Sequence, residues 1–469
     1  MPAPASGVSL GLPESVVSLI QTNLIERAFH DALYPALLFR QEAVWEEWEG
    51  NAGQDIFMTR AGLMDAITAP IAAGTDPIPQ SVPYEQWQAV LARYAGTLDI
   101  HMPTSAVAAS DLFLRNIQQL GLQAGQSINR LARNALFKSY LSGQTTLKVL
   151  AGSGDTTISV SSLNGFRYVV LPGVRPTPVS TATPLQVTIG SGGTAVTRNV
   201  IAATPDDVSN PDGPGVLTLS AAVGGSGQAV RAAVISKYAP SVIRSGGGDS
   251  VDSLGASDLF VLQDVMNAVA VLRSNNVPPH TDGYYHAHLS PEMNAQVFAD
   301  PVFQRLYTAL PQSMAYREGF IGTIGQVAFF LNTETPTSAN VGSLVATGGY
   351  AQFGSDVGAE IVNEANLKVG RCIVTGRGVL IEKGFDENKY ISEAGVLGKL
   401  GAFSVMNNGV AVAMERIRLY LRPPVDRLGD TVAASWSIST SFPVPSDLNA
   451  KVASNALYKR AIVIESAVG

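Results

Sequence analysis

The chain has 469 residues, 46% of them hydrophobic and only 15% charged, with a net charge of −7. That length accommodates roughly two to four domains with cores of their own; the composition excludes a disordered chain, and a charged fraction well below the usual ~25% is unusual for a monomeric enzyme and expected for a subunit whose surface is covered by copies of itself, a hint of assembly from composition alone. No basic tail is present to neutralise phosphates, the single Cys372 excludes an intrachain disulfide framework, and no apolar run is long enough to span a bilayer. The start, MPAPASGVSLGLPES, lacks the basic and apolar regions of a signal peptide, so synthesis in a reducing compartment is expected.

Residues 15–48 read as a helical arm interrupted at Pro35, with Trp45 and Trp48 three apart on one helix face as packing anchors. From Gln54 the texture changes to strand-like runs, QDIFMTR and WQAVLARYAGTLDI, flanking ITAPIAAGTDPIPQSVP. Pro70, Pro77, Pro79 and Pro83 bar helix from that segment, and Asp76 is its only charge. A lone two-stranded hairpin is marginally stable, so something outside it must cover this one, either the rest of the same chain or a neighbouring subunit, and its lack of charge favours the neighbour.

The clearest helix runs from Ser110 as N-cap to a stop at Gly143. Phe113, Ile117, Leu120, Ala124, Ile128, Leu131 and Ala135 form one stripe along it, and its length would be about 45 to 50 Å. Gly121 and Gly125 inside it each cost roughly 1 kcal/mol relative to alanine, which means either the close approach of another backbone or packing that overrides propensity.

Residues 144–238 switch to Thr, Ser, Gly and Val in short alternating runs between turn clusters such as AGSGD and NPDGPG. Six or so strands at that spacing describe a small β-sandwich or barrel, inserted between the long helix and the linker RSGGGDS. A helix from Ser257 follows, then a strand from Gly283 to Leu289, then a helix with Ser290 as N-cap and Pro291 in its first position. Trp436, Ile438, Thr440 and Phe442 alternate with serines as a half-buried strand, and KRAIVIESA reads as a closing strand.

The search for chemistry ends at HTDGYYHAHLSPEM, which holds three of the five histidines. On a strand, His286 and His288 share a face about 7 Å apart, a spacing that chelates a transition metal when Asp282 or Glu292 adds an oxygen. The competing reading is that these rings and His280 make ordinary hydrogen bonds in a framework strand. No dinucleotide, P-loop, nucleophile-elbow, zinc-protease or EF-hand spacing is present, and Cys372 reads as a small buried strand residue.

EGNAGQDIFMTRAG through TAPIAAGTDPIP, and ARYAGTLDI to LARNALFKSYLSG, resemble the extended loop, return strand and spine helix of the major capsid proteins of short-tailed bacteriophages. That fold is shared with encapsulins and the herpesvirus capsid floor. HAHLSPEMNAQVFADPVFQ followed by YREGFIGTIGQVAFFLNTE resembles the family's strand, helix and glycine-containing turn into a strand. The resemblance implies an α+β fold with an N-terminal arm (1–50), an extended loop with flanking strands (51–105), a peripheral-domain spine helix (106–143), an inserted all-β domain (144–238), a mainly axial region (239–400) and closing strands (401–469).

It implies a structural protein, not an enzyme, with no cofactor or metal. Copies would assemble as hexamers and pentamers into an icosahedral shell around double-stranded DNA, without sequence-specific binding and without a membrane. Other capsid, portal or decoration proteins would be further partners, and the shell would form in the host bacterial cytoplasm and persist in the virion. Candidate contacts between subunits are Trp45, Trp48, Arg60, Pro77, Pro79, Tyr84 and Trp87. Some capsids of this fold weld neighbours through a loop lysine; residues 54–100 hold no lysine, so no such cross-link is expected. The alternatives are a metal-dependent hydrolase built on His286 and His288, and a phage adhesin or tail protein whose working part is the β-rich segment.

Overall fold

The computed structural model describes residues 12, 14–49, 53–61, 64, 66–72, 74–77, 79–82, 84–103, 112–170, 175–308, 322–333, 335, 367–385, 396–400, 403–406, 409–414, 416–424, 428, 430–447 and 455–468. Two compact units are formed, each from three stretches of chain.

The first unit comprises Met1–Ile56, Gln88–Arg133 and Leu380–Pro443. Its sheet is organised around the strand Thr431–Ser441. Ala92–His101 pairs along one edge of that strand, while Ile417–Arg422 and Leu380–Phe385 share the other, at residues 433–437 and 439–441. Ala43–Glu47 adds in parallel to Leu380–Phe385, and a meander of Gly409–Met414, Phe403–Met406 and Val396–Leu400 extends the far side. Being paired on both edges, Thr431–Ser441 is also covered on both faces: Ser437 and Ser439 are buried along with Trp436 and Ile438, so the expected half-buried alternation does not hold.

Helices α1 (Glu14–Gln21), α2 (Leu24–Leu33) and the first part of α3 (Leu112–Tyr140) share a core with this sheet. Phe113, Ile117, Leu120, Ala124 and Ile128 of the expected stripe are buried, but beyond them burial moves to Ala132 and Leu136, leaving Leu131 and Ala135 half-covered. A Cβ on Gly121 would lie 2.6 Å from the backbone oxygen of Phe29, so of the two readings of this glycine the close backbone approach is the one realised. The Ser110 cap lies outside the described residues. The arm differs from its expected form: after two 3-10 turns, residues 43–47 are a strand, because β-branched and aromatic side chains find a parallel partner there.

The second unit comprises Phe57–Trp87, Asn134–Val379 and Val444–Gly469. The β-rich segment forms an antiparallel six-stranded sheet in the order Gln144–Thr146, Ala233–Ser236, Leu185–Ile189, Val196–Pro205, Gly215–Leu219, Thr157–Val160. Its outer strands meet through the bridge Leu147 to Val160 and the bonds Lys148 N to Ser159 O (2.9 Å) and Ser161 N to Thr146 O (3.0 Å), closing it into a barrel filled by Ile158, Val160, Val187, Leu217 and Val234.

A second six-stranded sheet runs Val242–Arg244, Ala461–Val468, Lys368–Thr375, Tyr285–Leu289, Val327–Leu331, Thr323–Ile324. Helices α4 (Leu262–Ser274), α5 (Pro291–Ala299) and α6 (Pro301–Thr308) follow the same region of chain, and Cys372 is buried in the core that α4 and α5 share with this sheet. Ser290 caps α5 as expected, its Oγ accepting from Met293 N at 3.2 Å with Pro291 first in the helix. α4 starts at Leu262, later than the expected Ser257, and Asp300 caps it, accepting from Leu262 N at 2.9 Å. No described helix is long and apolar enough to cross a membrane.

Candidate functional site

Asp55–Ala61 and Tyr84–Val90 form a two-stranded ribbon that, among the described residues, joins no other strand. Leu91 N donates to Gln54 O at 2.9 Å and Gln54 Nε2 to Leu91 O at 3.2 Å, closing one end. Side chains alternate across it. Met58, Glu85, Trp87 and Ala89 are buried, whereas Asp55, Thr59, Ala61, Tyr84, Gln88 and Val90 are exposed. The ribbon is therefore partly sealed by its own chain, which corrects the expectation that it cannot cover itself. The connecting segment differs: every described residue from 64 to 81 is exposed, including Ile67 at 69%, Ile71 at 55% and Met64 at 49%.

Of the seven candidate contact residues, Pro77, Pro79 and Tyr84 are on this open surface. The other four make contacts inside the chain. Trp48 and Trp87 are buried, Trp48 with its Nε1 donating to Gly53 O at 3.1 Å. Trp45 lies under the Arg416 guanidinium, 3.6 Å from its ring centre, against Gly384. Arg60 is paired at the end of the ribbon next to segment 64–81.

That end of the ribbon holds a polar cluster that sequence reasoning missed, since its members lie far apart along the chain. Arg60 Nη1 sits 3.0 Å from Asp447 Oδ1, and Arg460 Nε donates to both oxygens of the same carboxylate at 3.1 Å. Ser446 Oγ donates to Glu85 Oε2 at 2.6 Å, and Lys459 is buried beside them. A cavity of about 160 Å³ lies among these groups and Asn275 and Asn276. Burial pushes the Asp447 carboxyl up to about 6; Arg60 works to lower it, Glu85 raises it further, and Lys459 lowers it. Burial also lowers Lys459, against the pull of Asp447 and Glu85.

The histidines are arranged differently from the expected pair. His286 and His288 share a face, but the ring of Phe330 lies against both, 4.9 Å from His286 and 5.6 Å from the buried His288. The imidazole nearest His286 is that of His280, stacked at 4.0 Å and 9°. Asp282 Oδ2 lies 2.9 Å from His286 Nε2, and Thr375 Oγ1 lies 3.2 Å from His280 Nε2, so the rings are also held by polar neighbours.

No family model matches the chain, and no curated protein matches it. Solved structures do. The capsid of Ralstonia phage GP4 is 12% identical, with 91% of this chain and 87% of that chain covered at a TM-score of 0.46. The capsid of cyanophage P-SCSP1u is 9% identical, with coverages of 92% and 89% at 0.47. The capsid asymmetric unit of cyanophage Pam1 is 9% identical, with coverages of 93% and 92% at 0.47. Over about nine-tenths of its length the chain is similar to phage capsid proteins.

Proposed function

We propose that the chain is the structural subunit of an icosahedral phage capsid, assembling as hexamers and pentamers around double-stranded DNA. The observation that carries this reading is the exposed, nearly uncharged segment 64–81 on a ribbon whose other face is already packed. A connection of that length without secondary structure has a function or is disordered, and its exposed isoleucines and prolines suit a like, uncharged surface. The sequence resemblance assigns the same segment to the loop that lies over a neighbouring subunit. The net charge of −7 suits a wall that encloses DNA without gripping it. A hydrolase is disfavoured by the phenylalanine between His286 and His288. Portal and decoration proteins would be further partners, the host bacterial cytoplasm the place of assembly and the virion the final location.

Electron microscopy of the expressed protein tests the proposal, with shells or hexameric patches expected and discrete monomers or trimers refuting it. Thermolysin should cut at Ile67 or Ile71 in free subunits and spare them in shells; equal cutting in both states would remove the segment from the interface.

A further inference from the structure

We propose that the polar cluster at the end of the ribbon next to segment 64–81 is a clamp that fixes both strands where that segment departs, and so aims it. Both ribbon strands are gripped: Arg60 of the first reaches Asp447 at 3.0 Å, and Glu85 of the second accepts from Ser446 at 2.6 Å. Asp447 is a fixed post, because Arg460 Nε engages both its oxygens at 3.1 Å. The apolar anchors Met58 and Trp87 resist separation but not sliding, since burial of apolar surface has no preferred direction. Charge-assisted hydrogen bonds do have direction, and two of them on adjacent residues of one stretch of chain fix two strands at once. The described residues of the exposed segment contribute no cover of their own that could aim it. Its direction is inherited from the clamped strand ends on either side of it. The aiming role rests on the capsid reading; the clamp itself does not.

The experiment is hydrogen exchange on unassembled full-length subunits of wild type, Arg60→Met, Glu85→Gln and the double variant. Ribbon amides in residues 57–61 and 84–87 should exchange about tenfold faster in each single variant, since Arg60 is partly solvated and loses less than a fully buried partner would. The double variant should fall short of the product of the singles, Arg60→Lys should recover part of the protection, and amides of the barrel strand Leu185–Ile189 should not change. Unchanged ribbon amides, or faster exchange throughout the chain, would overturn the clamp. In assembly, Arg60→Met should give shells of mixed diameter or open sheets where wild type gives one diameter; uniform shells would overturn the aiming role. If wild type forms no shells, the capsid reading fails, and the exchange result still decides the clamp.

Discussion

Replacing Gly121 by alanine sets two known effects against each other. In a helix interior the change gains about 1 kcal/mol of propensity, so sequence reasoning alone predicts a more stable protein. The structure predicts the opposite sign. The new Cβ would stand 2.6 Å from Phe29 O, 3.3 Å from Phe29 C and 3.3 Å from Ala32 Cβ. The closest of these is a backbone atom, which cannot rotate aside; relief requires α2 to move, and α2 is anchored by the fully buried Ile25, Phe29 and Leu33. Overpacking of this kind costs about 1–3 kcal/mol, leaving a net loss of about 1 kcal/mol after the propensity gain. For a cooperative unit of about 150–250 residues that lowers the melting temperature by about 2–4 °C. Scanning calorimetry of unassembled subunits, with urea unfolding followed by tryptophan fluorescence, reads the change. A raised midpoint for Gly121→Ala would show that α2 gives way freely, and the account of why glycine stands there would be wrong.

Glu465, 1% exposed, accepts from Arg371 Nε at 2.8 Å and Arg244 Nε at 2.9 Å, so Glu465→Gln should cost about 3–5 kcal/mol; a loss below 1 kcal/mol in urea unfolding would count against the network. Burial works to raise the Glu465 carboxyl, but Arg371 and Arg244 outweigh it and hold it below the usual range. Its stabilisation is therefore present above the ordinary glutamate range and lost as pH falls through the depressed value. Asp447 behaves oppositely: with its folded-state value raised from 3.8 to about 6, its contribution is complete below the unfolded value and lost as pH rises through 6, an effect of about 3 kcal/mol. Asp447→Asn should flatten the fall in urea midpoint between about pH 4 and pH 7, and an unaltered pH profile would refute the assignment. The barrel's ends are neighbours, with Ile235 paired to Gln144 and Ser236 N donating to Gly143 O at 2.7 Å, so a short Gly-Ser linker in place of residues 146–236 should leave assembly intact. Folded subunits of that deletion that form no shells would make the barrel part of the lattice.

What could be read from the sequence was what repeats over a few residues. The stripe on α3 from Phe113 to Ile128, the Ser290 cap and the turn-separated strands of the barrel depend on neighbours within about one turn or hairpin, and each lies where its spacing placed it. The failures have a common cause as well. Trp45 and Trp48 were assigned to a helix face because their three-residue step fits one, yet the strand that recruits Ala43–Glu47 is Leu380–Phe385, far along the chain. α4 takes its cap from Asp300, beyond the reach of any local signal. The buried pairs Arg40 with Glu382 (2.8 Å) and Arg371 with Glu465, and the half-buried pair Arg60 with Asp447, follow from tertiary register, which spacing does not encode. Glu465 alone left a trace, as a carboxylate in the apolar run AIVIESAV.

The division of the ribbon into a sealed face and an open tip bears on how copies could associate. Met64, Ile67 and Ile71 are already about half exposed or more in the free chain, so covering all three on a neighbour removes on the order of 300 Å² of apolar surface, or about 7 kcal/mol. Association itself costs about 4–15 kcal/mol, so one such contact gives no stable dimer. Within a ring each copy offers a tip and receives one, and the later contacts form between groups already held near each other, which removes most of that cost. A weak contact that is cooperative in number favours closed assemblies over pairs.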